Sequence, residues 1–170
     1  MTPDPAQPGP DPADPFAATA SAECLEVLSR EHCLSLLATV SVGRLGVTIR
    51  ALPAVLPVNF ALLGEEIVIR TVPGTKLDAA AAAVVVAFEA DSYDPLGTWG
   101  WSVLAQGAAH EITDPTALAE AAALPLRAWA FPGATASRFL RIETALLTGR
   151  RFGDVDGAAS GAAGLPPAIP

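Results

Sequence analysis

Residues Gly43 to Val72 read GRLGVTIRALPAVLPVNFALLGEEIVIRTV. Leu45, Val47 and Ile49 alternate with smaller or polar positions, the period of a half-buried strand. Leu52 to Leu63 (LPAVLPVNFALL) is again rich in strand formers. Pro53 and Pro57 interrupt its row of N–H donors, which suits a kinked or edge strand. Leu63-Gly64-Glu65-Glu66 reads as a turn, and Glu65 to Val72 returns as a third strand. Short strands joined by tight turns form a meander, so this stretch points to an antiparallel sheet.

The flanking segments continue the theme. Upstream, Glu23 to Ala38 has a helical pattern, with Ser29 as a cap inside it. Downstream, Pro73-Gly74 ends the strand, and Thr75 to Ala83 is a short helix with Thr75 and Asp78 in capping-box spacing. Val84 to Ala90 reads as a central strand, and Asp91 to Thr98 as a loop. Trp99 to Ile112 is a long strand with Gly100 and Gly107 as expected bulges. Thr113-Asp114-Pro115 opens a helix through Ala123, and Phe139 to Arg151 is the last strand. Six strands, about three short helices and no strict βαβ alternation predict a mainly β chain, an antiparallel barrel with helical decoration.

Proline marks the ends. Six of the 16 prolines lie between Pro3 and Pro15, and three more between Pro166 and Pro170. Residues 1–20 are expected to be a disordered Pro/Asp-rich tail and residues 154–170 an Ala/Gly/Pro tail, with one folded domain over residues 21–153. The 170 residues are 51% hydrophobic, enough for a real core. Eighteen acids against ten bases give a net charge of -8, which argues against nucleic-acid and anionic-membrane binders. The charge-free apolar stretches, such as Ala79 to Phe88, fall short of the roughly 20 residues of a spanning helix. The N-terminus lacks a basic signal-type region, so a cytoplasmic location is expected. Cys24 and Cys33 stand nine apart and have no metal-type spacing; reduced thiols are expected.

Lys76 is the sole lysine among ten bases. It ends the segment Arg70-Thr71-Val72-Pro73-Gly74-Thr75-Lys76. There a strand delivers a guanidinium able to chelate phosphate oxygens, Gly74 permits close backbone approach, and a helix start presents unpaired N–H groups. A cation in a first helical turn is unhelpful to the helix itself, and an anion between Arg70 and Lys76 resolves the mismatch. A surface lysine and an arginine paired to Glu89 would explain the same residues. The segment is not a Walker A loop. Pro57-Val58-Asn59-Phe60 is either a ligand-facing kinked strand or an ordinary edge. Gly100-Trp101-Ser102-Val103 sets a Trp to stack on a ring or to pack. His32 and His110 lack nucleophile partners at a recognisable spacing, so no catalytic side chain is assigned. Glu89 and Asp91 read as ion-pair partners or loop caps rather than an acid–base pair.

Taken in order, GRLGV, PVNF, IRTVPGTKL, VAFEAD, GWSVLAQGAA and RIETALLTGRRF resemble the pyridoxamine 5'-phosphate oxidase-like, FMN-binding split-barrel family, from about Glu23 to Phe152. The resemblance implies a six-stranded Greek-key split barrel that forms a homodimer with flavin sites at the subunit interface. By position, Arg70 and Lys76 match the phosphate-binding bases, with Thr71, Gly74 and Thr75 beside them. Val58, Asn59 and Phe60 match the strand along the flavin ring. Trp101 and Ser102 match a segment contributed by the same or the facing subunit. The C-terminal strand has Arg150 and Arg151 but no His, where the authentic oxidase uses Arg and His for its substrate phosphate. The implied function is therefore a flavin (FMN)-dependent oxidoreductase acting on some other small molecule. A deazaflavin-dependent reductase and a non-catalytic flavin- or haem-binding module are the alternatives. No metal site is expected.

Overall fold

The computed structural model describes residues 25–49, 51–71, 85–96, 98–126 and 138–153. The strands are β1 (Leu25–Val27), β2 (Val42–Ile49), β3 (Leu52–Leu63), β4 (Glu66–Thr71), β5 (Val85–Tyr93), β6 (Gly100–Glu111), β7 (Arg138–Ile142) and β8 (Leu146–Phe152). The helices are α1 (Arg30–Leu37) and α2 (Pro115–Ala123). All pairings are antiparallel, in the order β1-β8-β6-β5-β2-β3-β4-β7, and β6 also pairs with β7. That last pairing closes six strands into a barrel and leaves β8 and β1 as a flap split off beside β6. The expected six-stranded split barrel is therefore the fold.

Three expectations about elements need correction, the first being the bulges at Gly100 and Gly107, through which β6 keeps an unbroken register with β5. The helix expected over Glu23 to Ala38 begins only at Arg30, because the Ser29 side chain caps it by accepting from the His32 N–H at 3.3 Å. In front of it, Leu25–Val27 pairs with β8 as a strand. The single last strand is two, β7 and β8, interrupted at residues 143–145. There Arg30 donates to the Thr144 carbonyl at 2.8 Å, to its hydroxyl at 2.6 Å, and to Glu65 at 2.7 Å. One guanidinium thus ties α1 to the turns after β3 and β7. The tails and the helix expected at Thr75 to Ala83 lie outside the described residues.

Alternation along each strand makes two surfaces. The inward set includes Leu45, Phe60, Ile67, Ile69, Phe88, Val103 and Ile142, all buried. The Phe60 and Phe88 rings meet edge to face with centroids 4.7 Å apart. On the opposite surface of β4 and β7, Val68 and Phe139 form a second core with Ile112, Ala121 and Leu126, roofed by α2. Asp114 starts that helix by accepting from the Thr116 and Ala117 N–H groups, with Pro115 at its first turn. Strand β3 runs unbroken through both prolines. They lie in the part that pairs with β2, before the β4 pairing begins at Phe60, so their missing donors face an unpaired edge.

Candidate functional site

The residues singled out from the sequence divide by face. Val58, Phe60 and Thr71 turn inward and are 6%, 3% and 5% exposed, so β3 can present only backbone to a ligand at the two hydrophobic positions. Asn59 and Arg70 turn outward. Each stands one residue beyond the Phe60–Ile69 pair, so the two are neighbours on the outer surface of the barrel. Asn59 pairs on its other side with Val42. Next to this row lies an open cavity of about 480 Å³, lined by Thr39 to Arg44 with Pro57 and Asp91. It is large enough for a fused planar ring. Its hydroxyls and peptide groups suit the polar edge of such a ring, and Arg70 beyond Asn59 suits an anion on a tail. The residues present therefore fit a flavin. Gly74, Thr75 and Lys76 lie outside the described residues.

Reasoning from the sequence missed Arg44. It rises from β2 between two carboxylates of β5, with Nη1 2.8 Å from Glu89 and 2.9 Å from Asp91. The hydrogen bond to Asp91, then that to Glu89, holds the guanidinium even more firmly protonated than usual. Glu89 is thus the partner of Arg44, and both acids are ion-pair partners as expected. The signal was the outward parity of Arg44 in GRLGV, but only the register Arg44↔Glu89 reveals the pairing.

Trp101 and Ser102 stand elsewhere. Trp101 points inward and is 6% exposed, while Ser102 is exposed on the outer surface between Asp91 and Arg150. Beside it is a groove of about 290 Å³ whose walls include Leu25, Tyr93 and Phe152. The preceding loop is pinned by Asp94, whose carboxylate accepts from the N–H groups of Leu96, Thr98 and Trp99 and from the Thr98 hydroxyl. Those bonds, the one from Trp99 foremost, hold Asp94 below the usual carboxylate range.

Within one chain these two groups do not meet. Strands β3, β2 and β5 separate β4 from β6, four steps or about 19 Å over a convex surface. The route through β7 reaches β6 only at Ala109–Glu111, seven or more residues beyond Ser102. A flat ring cannot touch Arg70 and Ser102 of the same chain.

The remaining candidates are quiet. His110 lies 3.4 Å from Glu143 and both are well exposed. Cys33 is a free, buried thiol, and burial pushes its pKa up. Among the described residues no three His, Cys, Asp or Glu are grouped to hold a metal ion. No helix among them is long and apolar enough to cross a membrane.

A closed six-stranded antiparallel barrel with a split-off flap and an outward row beside a ring-sized cavity defines a split-barrel protein with a candidate ligand face. The sequence profile of the pyridoxamine 5'-phosphate oxidase family matches residues 29–151, and the chain belongs to that family. An uncharacterized protein of Mycobacterium tuberculosis is 39% identical over 113 residues, covering 64% of this chain and 74% of that protein. The structure of the FAD binding protein from Mycobacterium smegmatis is 35% identical, with a TM-score of 0.66, covering 75% of this chain and 99% of that one. The FAD and haem binding protein of the same organism superposes with a TM-score of 0.61 at 21% identity, over 87% of this chain and 90% of that one, a likeness of fold alone.

Proposed function

We propose that this chain is a flavin-dependent oxidoreductase that reduces or oxidises a small organic molecule. The observation that carries the reading is the outward row of Asn59 and Arg70 beside the cavity under Val42, in a chain of this family. The FAD binding relative supports a flavin. FMN is one half of FAD, so a phosphate anchor at Arg70 and Lys76, with Thr71 and Thr75 near it, serves either. The flavin supplies hydride or electron transfer at N5, and the protein binds, orients and shields it. In this reading Arg70 and Lys76 hold the phosphate, Asn59 meets the ring edge, and the Arg44 ion pairs fix the wall of the cavity.

The reading includes a homodimer. Ser102 reaches the same cofactor only if a second copy brings it, and Trp101, turned inward, then braces that segment from behind. The outer surface also offers a small apolar patch, with Gly46 and Ala87 at its centre and Val55 and Val85 exposed beside them.

The test is titration of the full chain with FMN and with FAD, followed by flavin fluorescence and visible absorption. Saturable binding with a dissociation constant in the micromolar range or below is expected for at least one. The double variant Arg70→Ala with Lys76→Ala should lose at least about a hundredfold, as two charge-assisted contacts disappear. Unchanged affinity in that variant overturns the phosphate assignment. Reduction of the bound flavin by NAD(P)H supports the enzyme. Reduction only by a reduced deazaflavin makes that coenzyme the electron donor of the enzyme, and no reduction by either leaves a binding module.

A further inference from the structure

The groove beside Ser102 has a chemistry of its own, written by two rungs of the sheet. Tyr93 pairs with Gly100, Gly100 with Phe152 and Phe152 with Leu25. Asp91 pairs with Ser102, Ser102 with Arg150 and Arg150 with Val27. All lie on the outer face. The first rung is an apolar shelf. Gly100 leaves a gap in it, and the Phe152 ring leans over that gap: a Cβ on Gly100 would stand 2.7 Å from Phe152 Cε1 and 3.0 Å from Tyr93 Cβ. The second rung is polar, with a carboxylate, a hydroxyl and a guanidinium side by side.

We propose that this groove binds an uncharged planar heterocycle of one or two fused rings that carries a lactam edge, an adjacent N–H and C=O. The shelf of Tyr93, Phe152 and Leu25 takes the faces of the ring. Asp91 accepts from the N–H, and Arg150 or the Ser102 hydroxyl donates to the carbonyl. Arg150 has five donors, so it serves a ligand while keeping its interaction within the chain. One carboxylate and one guanidinium cancel across the rung, so neither an anion nor a cation is selected. The volume of about 290 Å³ suits a mono- or bicycle rather than a larger ligand. The groove and the cavity under Val42 share Asp91, which Arg44 holds at 2.9 Å, so one ion pair borders both. As the seat of the molecule that exchanges electrons with the flavin, the groove rests on the reading given above; as a ring-binding groove it does not.

The test is amide NMR titration of the full chain with carbostyril, a neutral bicyclic lactam. N-methylcarbostyril lacks the N–H, and quinaldate is a bicyclic anion with a carboxylate in place of the lactam oxygen. Carbostyril should shift the amides of Asp91, Ser102 and Phe152 and saturate. The other two should bind about tenfold more weakly, each losing a hydrogen bond or meeting an uncompensated charge. Ser102→Ala, at an exposed strand position, should weaken carbostyril about fivefold, and Phe152→Leu should weaken it through the lost ring contact. Equal binding of the three compounds, shifts confined to other surfaces, or indifference to both variants overturns the proposal. Carbostyril binding in a chain that binds neither FMN nor FAD defeats the flavin reading alone. FMN binding without carbostyril binding defeats the groove alone.

Discussion

Strand β6 passes through two environments. From Gly100 to Gln106 it lies between β5 and β8 in the open part of the sheet, and from Ala109 to Glu111 it also pairs with β7 and closes the barrel. The inward side is the same throughout: Trp101, Val103, Ala105 and Ala109 are all buried. The outward side is not. Around the closed end the outer face of β4 and β7 is sealed by α2, with Val68 fully buried and Phe139 nearly so. At the open end nothing described covers Ser102 and Tyr93, and the latter is 67% exposed. The changeover falls at Gly107, where a Cβ would strike the Glu143 carbonyl. The outer face is thus sealed over β4 and β7, next to the closed end of β6, and bare at the open end of β6 beside Ser102 and Tyr93; the difference lies in what covers it.

Removing the seal should have the largest effect. Phe139→Ala is expected to cost about 3–5 kcal/mol, by urea denaturation, because a buried ring leaves a cavity under α2. A cost below about 1 kcal/mol would mean the second core is loosely packed. Gly107→Ala comes next, at about 2–3 kcal/mol, since the neighbour it meets is backbone and cannot step aside cheaply. A neutral result would move the changeover elsewhere.

At the open end the expected effects are local. Asp94 is held below the usual carboxylate range by the N–H groups it accepts. A carboxyl depressed on folding stabilises above its unfolded pKa and loses that contribution as pH falls through its folded value. The Asp94–Trp99 loop should therefore open only as pH falls below the usual carboxylate range, seen as faster amide exchange at Thr98 and Trp99 after correction for intrinsic rates. In Asp94→Ala it should already be open at neutral pH. Exchange at Thr98 and Trp99 as slow in Asp94→Ala as in the unaltered chain would show that other contacts hold the loop. Tyr93→Ala should change global stability by no more than about 0.5 kcal/mol, while weakening any ring bound in the groove. A larger loss of stability would count the groove as core.

The parts legible in the sequence were those with a period. Leu45, Val47 and Ile49 alternate, and their faces are as read. Asp114-Pro115 is a local signal and caps a helix as read. Strand β1 went unread because three residues have no period of their own, and Glu23 to Ala38 carries enough helical pattern to absorb them. The break between β7 and β8 went unread because Glu143-Thr144-Ala145 has no Gly or Pro; Arg30, more than a hundred residues away, fixes it through Thr144. At the site, the outward parity of Asn59 and Arg70 follows from the strand pattern. The Arg44 pairs with Glu89 and Asp91, and the meeting of Leu25, Tyr93 and Phe152, depend on register between distant strands, which no local window contains.

Gly153 sits at a left-handed φ of 74°, and a side chain there would run into the Thr98 carbonyl and the Trp99 Cα. The bend at Gly153 is therefore a wedge under the loop that flanks the ring-binding groove. Where an engineer trims or fuses this protein matters accordingly: a junction after residue 153 leaves the wedge seated, whereas one placed earlier would withdraw it and slacken a wall of the groove from behind.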